Sequence, residues 1–191
     1  DKFNVDSSYD VITDLGGVSG GDSDVLIVSN VAIANIINIV NFTATTDTKN
    51  DGTSTFNLKS GGVRVLDLSK ATGTGTYVIK GNTGKDTITG TSGVDTINAG
   101  KGDDEITIAA AGKGDTDVMD GGDGTGDVLK LSTGKHTFAD DTKFKNIEKI
   151  ETDASGSEVV LTAQKEALEI TGGDGVDKIT GGEGVDTINA G

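Results

Sequence analysis

A nine-residue pattern recurs in two parts of the sequence and limits what the chain can fold into. The five copies begin at residues 81, 90 and 99 in the first part and at residues 172 and 181 in the second. Position 4 is always Gly, position 6 is always Asp and position 8 is always Ile. These residues are Gly84, Gly93, Gly102, Gly175 and Gly184; Asp86, Asp95, Asp104, Asp177 and Asp186; and Ile88, Ile97, Ile106, Ile179 and Ile188. One apolar side chain per copy cannot form a core alone, so we expect the copies to stack on one another.

The spacing within each copy also points to a metal site. Glycine permits a positive φ and close backbone approach, so the segment from Gly81 to Gly84 can turn sharply with its carbonyl oxygens facing inward. The Asp two residues later adds a carboxylate, and Ca²⁺ prefers about six to eight hard oxygen ligands of this kind. If one coil holds two copies, Asp86 lies beside Asp104 and Ile88 beside Ile106. Two carboxylates that close repel each other unless a cation lies between them.

The composition excludes several classes of protein. Gly accounts for 30 of the 191 residues, Cys and Pro are absent, and the only His is His136. We therefore expect no disulfide framework, no thiolate site and no zinc catalysis, which needs several nitrogen or sulfur ligands. The formal net charge of −15 argues against binding to nucleic acid, and no apolar run is long enough for insertion into a membrane. Such a composition is also typical of disorder, but disorder does not explain Ile at every position 8.

The copies resemble the calcium-binding nonapeptide of the RTX (repeats-in-toxin) family, Gly-Gly-x-Gly-x-Asp-x-U-x, where U is a large apolar residue. The resemblance implies an all-β fold, a right-handed parallel β-roll or β-helix with Ca²⁺ between adjacent turns. It also implies type I secretion and a location outside the cell. Less regular β segments are expected between the repeat runs, for example at Val25–Val28 and Val128–Leu131. Asn50-Asp51-Gly52 is typical of a hairpin turn.

A longer repeat divides the chain into two modules. Residues 76–100 and 167–191 are identical at 15 of 25 aligned positions, at an offset of 91 residues. We expect a first module at residues 1–110, with β segments in 1–80 and a repeat run at 81–110. The second module is expected at residues 111–191, with an Asp-Gly turn and β segments in 111–171 and a run at 172–191. The second run stops where the first one continues, so we expect the array to extend past Gly191.

Other acidic residues in Gly- and Asp-rich turns are further candidate calcium ligands. They are Asp22, Asp24, Asp115, Asp117, Asp123 and Asp127. In the copy that begins at residue 111, Thr116 occupies the position of the expected Asp, with an acid on either side. An ordinary turn-capping role is the alternative for four of them, Asp22, Asp24, Asp123 and Asp127.

The sequence predicts a structural function and no enzymatic activity. A catalytic triad would have to use His136, no Gly-x-Ser-x-Gly motif accompanies it, and we expect it in a surface turn. The five Phe residues are expected to cap the open ends of a thin core.

We expect a calcium-binding fragment of a secreted bacterial surface protein, either an S-layer subunit or a repeat adhesin. It would fold and assemble on binding extracellular calcium, and would contact copies of itself or neighbouring modules of the same protein. The alternative is a calcium-dependent folding or export segment of a type I-secreted enzyme or toxin whose active domain lies elsewhere. A carbohydrate-binding adhesin is a third interpretation.

Overall fold

Short β-branched segments between Gly- and Asp-rich turns form the regular structure. The computed structural model describes residues 1–6, 9–13, 24–110 and 116–191. The first strands are β1 Lys2–Val5, β2 Tyr9–Ile12, β3 Val25–Val28, β4 Ile33–Ile39, β5 Asn41–Thr43, β6 Lys49–Asn50, β7 Thr53–Leu58, β8 Arg64–Asp67, β9 Thr76–Asn82, β10 Asp86–Thr89 and β11 Asp95–Gly100. They are followed by β12 Glu105–Ile108, β13 Val118–Asp120, β14 Val128–Leu131, β15 Gly134–Thr137, β16 Phe144–Lys145, β17 Lys149–Thr152, β18 Ser157–Val160, β19 Glu169–Thr171, β20 Lys178–Thr180 and β21 Thr187–Asn189.

The strands wind into a parallel β-solenoid of about eight turns. The long sheet contains β5, β8, β10, β12, β14, β17, β19 and β21, and the opposite sheet contains β2, β4, β7, β9, β11, β13 and β16. A third side is formed at the N-terminal part by β1, β3 and β6 and at the C-terminal part by β15, β18 and β20. Every strand pairing in the described ranges is parallel. The predicted all-β parallel solenoid is therefore confirmed.

Apolar side chains keep the same register from coil to coil. Ile88 pairs with Ile106, as the nine-residue spacing predicts. Further along the long sheet Ile106 pairs with Leu129, and Leu129 pairs with Ile150, although the turns between them are longer. The extra residues are accommodated in the turns, and the interior column of aliphatic side chains continues without interruption.

The aromatic side chains fill the wide parts of the solenoid. Phe56 lies 6.1 Å from Phe42 and 6.1 Å from Tyr77 between ring centroids, and Phe138 lies 5.0 Å from Phe144. These four Phe rings and the Tyr77 ring are all buried within the solenoid. The expectation that the Phe residues cap open ends is therefore wrong for these four. These rings lie where a third side widens the coil, and the coils need larger side chains there to reach native packing density. Phe3 is partly buried against the core.

The structure also corrects the hairpin prediction. β6 and β7 flank Asp51 and Gly52 but belong to different sheets, so this turn is a corner of the solenoid. A Cβ at Gly52 would lie 2.3 Å from the backbone oxygen of Ala32 on the preceding coil, which leaves room only for glycine.

Residues 25–80 belong to the solenoid, and its sheets run through the predicted module boundary. β11 pairs with β13, and β12 pairs with β14, across residues 110 and 111. The division into two modules stays a prediction about the sequence repeat. Within the described ranges, no helix is long and apolar enough to cross a membrane.

The isoleucines at position 8 should contribute to stability according to their burial. Ile106 is fully buried at 0% exposure, whereas Ile188 occupies the same position of its copy at 46% exposure. We expect Ile106→Ala to lower the free energy of unfolding by about 2–5 kcal/mol because a buried cavity is left, and Ile188→Ala to lower it much less. Urea denaturation at one fixed calcium concentration measures both variants. Equal losses would contradict the observed packing.

Candidate metal centre

In four successive coils, one acidic residue lies at the start of a strand of the long sheet or directly before it. We call Asp86, Asp104, Asp127 and Glu148 the acidic column. The backbone N–H of Asp86 donates to Oδ1 of Asp104 at 2.7 Å, and that of Asp104 donates to Oδ1 of Asp127 at 2.7 Å. The backbone N–H of Asp127 donates to Oε2 of Glu148 at 2.9 Å. Each carboxylate therefore binds the coil before it, and the three aspartates are buried.

The local sequence explains why these acids line up. Each is followed by one residue and then by an interior aliphatic side chain, so parallel pairing of the strands also aligns the acids. The glycine turns before these acids also stack closely on one another from coil to coil. A Cβ at Gly102 would lie 2.9 Å from the carbonyl carbon of Gly84, and a Cβ at Gly124 would lie 2.4 Å from the oxygen of Gly102. Gly102 also has a φ of 114°, which favours glycine.

Three aspartates each have a buried carboxylate oxygen without a hydrogen-bond partner. These atoms are Oδ2 of Asp104, Oδ2 of Asp127 and Oδ2 of Asp177. A buried charged oxygen without a partner is costly, because its lost hydration is not replaced. Burial, followed by the like charges nearby, raises the pKa of Asp104 to about 7 and raises the pKa of Asp127. A cation bound at these three oxygens would therefore offset the cost of their burial and stabilise the fold.

The aspartates of the first two copies differ, because a neighbouring side chain satisfies them. Asn82 donates to Asp86 from its backbone N–H at 2.8 Å and from Nδ2 at 2.5 Å. Thr91 donates to Asp95 from its backbone N–H at 2.7 Å and from Oγ1 at 2.9 Å. Asn82 and Thr91 stand at position 2 of their copies. The copies that contain Asp104 and Asp177 have glycine at that position.

The remaining aspartates at position 6 stand at the start of strands in three different sheets, and Asp186 lies before the last strand of the long sheet. On the opposite sheet, the backbone N–H of Asp95 donates to Oδ1 of Asp117 at 3.0 Å. Asp177 precedes β20 and accepts from the backbone N–H of Ser157 at 2.7 Å. Asp186 precedes β21 and accepts from the backbone N–H groups of Leu168 and Gly182 at 3.1 and 2.9 Å. Asp177 and Asp186 thus stand before strands of different sheets, on separate sides of one coil.

The other predicted ligands are distributed as follows. Asp123 is exposed and forms an ion pair with Lys101 at 2.6 Å. Asp24 is buried, and its Oδ1 accepts from the N-terminal amine of Asp1 at 2.7 Å. Asp22 and Asp115 lie outside the described residues.

Most of the predicted glycines make close backbone contacts. A Cβ would lie 1.7 Å from the oxygen of Ala99 at Gly81, 2.6 Å from that of Gly62 at Gly84, and 2.0 Å from that of Glu166 at Gly184. At Gly175 it would lie 2.2 Å from the nitrogen of Gly156, whereas at Gly93 the nearest atom, Oγ1 of Thr91, is 3.3 Å away. Gly93 is therefore the least constrained of the set.

Sequence reasoning missed Glu148 and misplaced His136. Glu148-Lys149-Ile150 has the same acid-x-aliphatic spacing as Asp86-Thr87-Ile88, and that spacing could have identified it outside the nine-residue period. His136 was expected in a surface turn, but it lies fully buried in β15, with Nε2 at 2.7 Å from the backbone oxygen of Ser132. The reason is that β15 pairs with β18 with His136 in register with the interior residue Val159, so the ring faces the inside of the solenoid.

The donor set of these turns fits a hard cation. Among the described residues, no group of three or more His, Cys, Asp or Glu side chains could hold a metal ion by itself. Carboxylate oxygens from the acidic column would therefore act together with backbone oxygens from the stacked glycine turns. Oxygen-only sets of this kind suit Ca²⁺ better than zinc or copper.

The pKa of Asp104 predicts a distinctive pH dependence for the protein without divalent cations. The folded pKa of about 7 lies above the unfolded value of about 3.9. The carboxyl group therefore contributes its full stabilisation below about pH 4, and this contribution is lost as the pH rises through about 7. We expect a smaller drop in thermal midpoint between pH 5 and pH 8 in Asp104→Asn than in the unmodified protein, as measured by circular dichroism. Asp123→Asn, at an exposed position, is the control, and an unchanged drop in Asp104→Asn would contradict the prediction.

The comparisons with known proteins agree with this geometry. The family model of the RTX calcium-binding nonapeptide repeat matches four copies, at residues 78–107 and 169–191. No curated protein and no solved structure matches the chain. The first matched range contains Asp86, Asp95 and Asp104, and the second contains Asp177 and Asp186. Repeats of this family bind Ca²⁺ and form a parallel β-roll. Residues 78–107 and 169–191 are therefore RTX calcium-binding nonapeptide repeats.

Proposed function

We propose that the chain is a structural module of a secreted bacterial surface protein, and that calcium binding between its coils completes its fold. The observation that carries the proposal is the set of three buried aspartate oxygens without hydrogen-bond partners, on Asp104, Asp127 and Asp177. Each stands at the start of a strand where two coils meet. The ligands we assign are the carboxylates at position 6 together with Asp117, Asp127 and Glu148, assisted by backbone oxygens of the glycine turns.

Residues of the chain itself place carboxylate oxygens where calcium would bind. Backbone N–H groups hold one oxygen of Asp104 and one of Asp127, which leaves the second oxygen of each buried and available. Bound Ca²⁺ would supply the positive charge that offsets the repulsion along the acidic column. With a formal net charge of −15, the chain is expected to favour extended conformations where calcium is scarce.

Several sites are needed for a firm response to calcium. At millimolar calcium and the affinities of about 10⁻⁴–10⁻³ M typical of extracellular modules, one independent site adds only about 0.4–1.4 kcal/mol. A stack of coils places several such sites in one cooperative unit, and binding free energy then becomes folding free energy.

Two observations support a place in a larger assembly at the cell surface. RTX repeats are typical of secreted bacterial proteins. Val176 and Val185, in the turns before Asp177 and Asp186, are 95% and 89% exposed, and exposed aliphatic side chains of this kind suit contact with a neighbouring module or a second copy.

Calcium titration tests the binding proposal. We expect calcium to increase β-structure in circular dichroism and EDTA to reverse the change, because the acidic column is neutralised only when the ion is bound. Asp104→Asn should shift the midpoint to higher calcium, and Asp123→Asn, which removes an acid from the surface, should leave it unchanged. Full β-structure in EDTA with no response to calcium would refute the proposal.

Electron microscopy tests the surface-protein part of the proposal. We expect the chain to form ordered lattices or filaments in millimolar calcium and to disperse in EDTA, since its contact surfaces would form only when the coils are folded. Particles that fold with calcium yet stay monomeric at high concentration would instead support the export-segment alternative.

A further inference from the structure

The turn that precedes β8 has the geometry of the nonapeptide turns but a different residue at the aspartate position. Arg64 pairs in register with Asp86, the first member of the acidic column. Gly62 lies two residues before it, as Gly84 lies before Asp86, and a Cβ at Gly84 would lie 2.6 Å from the oxygen of Gly62. Arg64-Val65-Leu66 also repeats the spacing that ends on an interior aliphatic side chain. Arg64 thus stands at position 6 of a further turn, one coil before Asp86.

The guanidinium group of Arg64 is held by the backbone of its own turn. Nε donates to the oxygen of Lys59 at 3.0 Å, Nη1 donates to that of Val63 at 2.7 Å, and Nη2 donates to that of Ser60 at 3.3 Å. Nη2 also donates to the oxygen of Gly61. Four carbonyl oxygens of one turn therefore surround a single positive charge.

The glycines of this turn make the arrangement possible. Gly61 and Gly62 have φ values of 77° and 79°, a conformation that lets successive carbonyl groups point to the same side. A Cβ at Gly62 would lie 3.1 Å from Nη1 of Arg64, so a larger residue there would crowd the guanidinium. The planar group, with its five donors and permanent charge, satisfies several carbonyl oxygens at once, which an ammonium group cannot do in the same way.

We propose that the guanidinium of Arg64 takes the place of a bound cation in this turn, so that the coil containing β8 is held without calcium and closes the N-terminal end of the acidic column. This inference rests on the calcium-binding function proposed above. The solenoid then has a fixed boundary. Coils before Asp86 fold without the metal, and coils from Asp104 onward need it to fold completely.

Hydrogen bonds extend this boundary to the next coil. The backbone N–H of Gly61 donates to Oδ1 of Asn82 at 3.1 Å, and Nδ2 of Asn82 donates to Oδ1 of Asp86 at 2.5 Å. The Arg64 turn is thus connected through one amide side chain to the first acid of the column. Asp86 is satisfied by protein donors on its own coil, whereas Asp104 keeps an oxygen without a partner.

The decisive variant is Arg64→Asp, which converts the turn into a Gly-x-Asp nonapeptide turn. We expect isothermal titration to show one more calcium ion bound per chain than in the unmodified protein. The thermal midpoint should fall by several degrees in EDTA and return to within a few degrees of the unmodified value in calcium. Lys70→Asp makes the same change of charge in an exposed turn at the other end of β8 and should change neither the stoichiometry nor the calcium response. An unchanged stoichiometry, or a loss of stability that calcium does not restore, would overturn the proposal.

Hydrogen exchange on the unmodified protein provides a test that does not depend on a variant folding. In EDTA, amides of β8 should exchange at least tenfold more slowly than those of β12 and β14, and in calcium the difference should disappear. If the protein binds calcium but β8 and β12 are equally protected in EDTA, the proposed role of Arg64 is overturned and the calcium-binding function is not. Absence of calcium binding by the unmodified protein would instead overturn the function on which this inference rests.

Discussion

The structure depends on one repeated contact, in which a buried carboxylate accepts a hydrogen bond from the backbone of the preceding coil. Asp104 and Asp127 each make this contact at 2.7 Å. The contact fixes the register of adjacent coils, but it also places like charges in one column, where they repel one another. The interaction that aligns the coils is thus also the one that opposes their stacking, and the carboxylates need positive charge or further hydrogen-bond donors.

The chain meets this need in more than one way. At Asp86 and Asp95, the side chains of Asn82 and Thr91 donate hydrogen bonds to the carboxylate. In the preceding coil a guanidinium group occupies the equivalent turn, and at Asp104 and Asp127 an oxygen stays without a protein partner. Neighbouring coils of nearly identical backbone therefore differ in how much they depend on the metal, and the difference lies in single residues.

The sequence was sufficient to predict the solenoid and the alignment of Ile88 with Ile106, because the nine-residue spacing sets both directly. It was insufficient to predict that Glu148 and Arg64 occupy positions equivalent to the aspartates. Turns of unequal length interrupt the nine-residue period, so residues that are equivalent in space are not equally spaced in the sequence. The burial of His136 and Phe56 depends on a third side of the solenoid, which forms through pairing between distant segments and leaves little trace in local polarity.

The unequal turns have a consequence for the outer surface. Ile106, Leu129 and Ile150 stay in register although different numbers of residues separate them, so added residues lengthen the turns without moving the strands. An insertion or a substitution at a corner therefore changes the exposed shape of one coil only. The exterior of such a protein can change coil by coil along its axis, while the hydrogen-bonded strands beneath it keep the same arrangement.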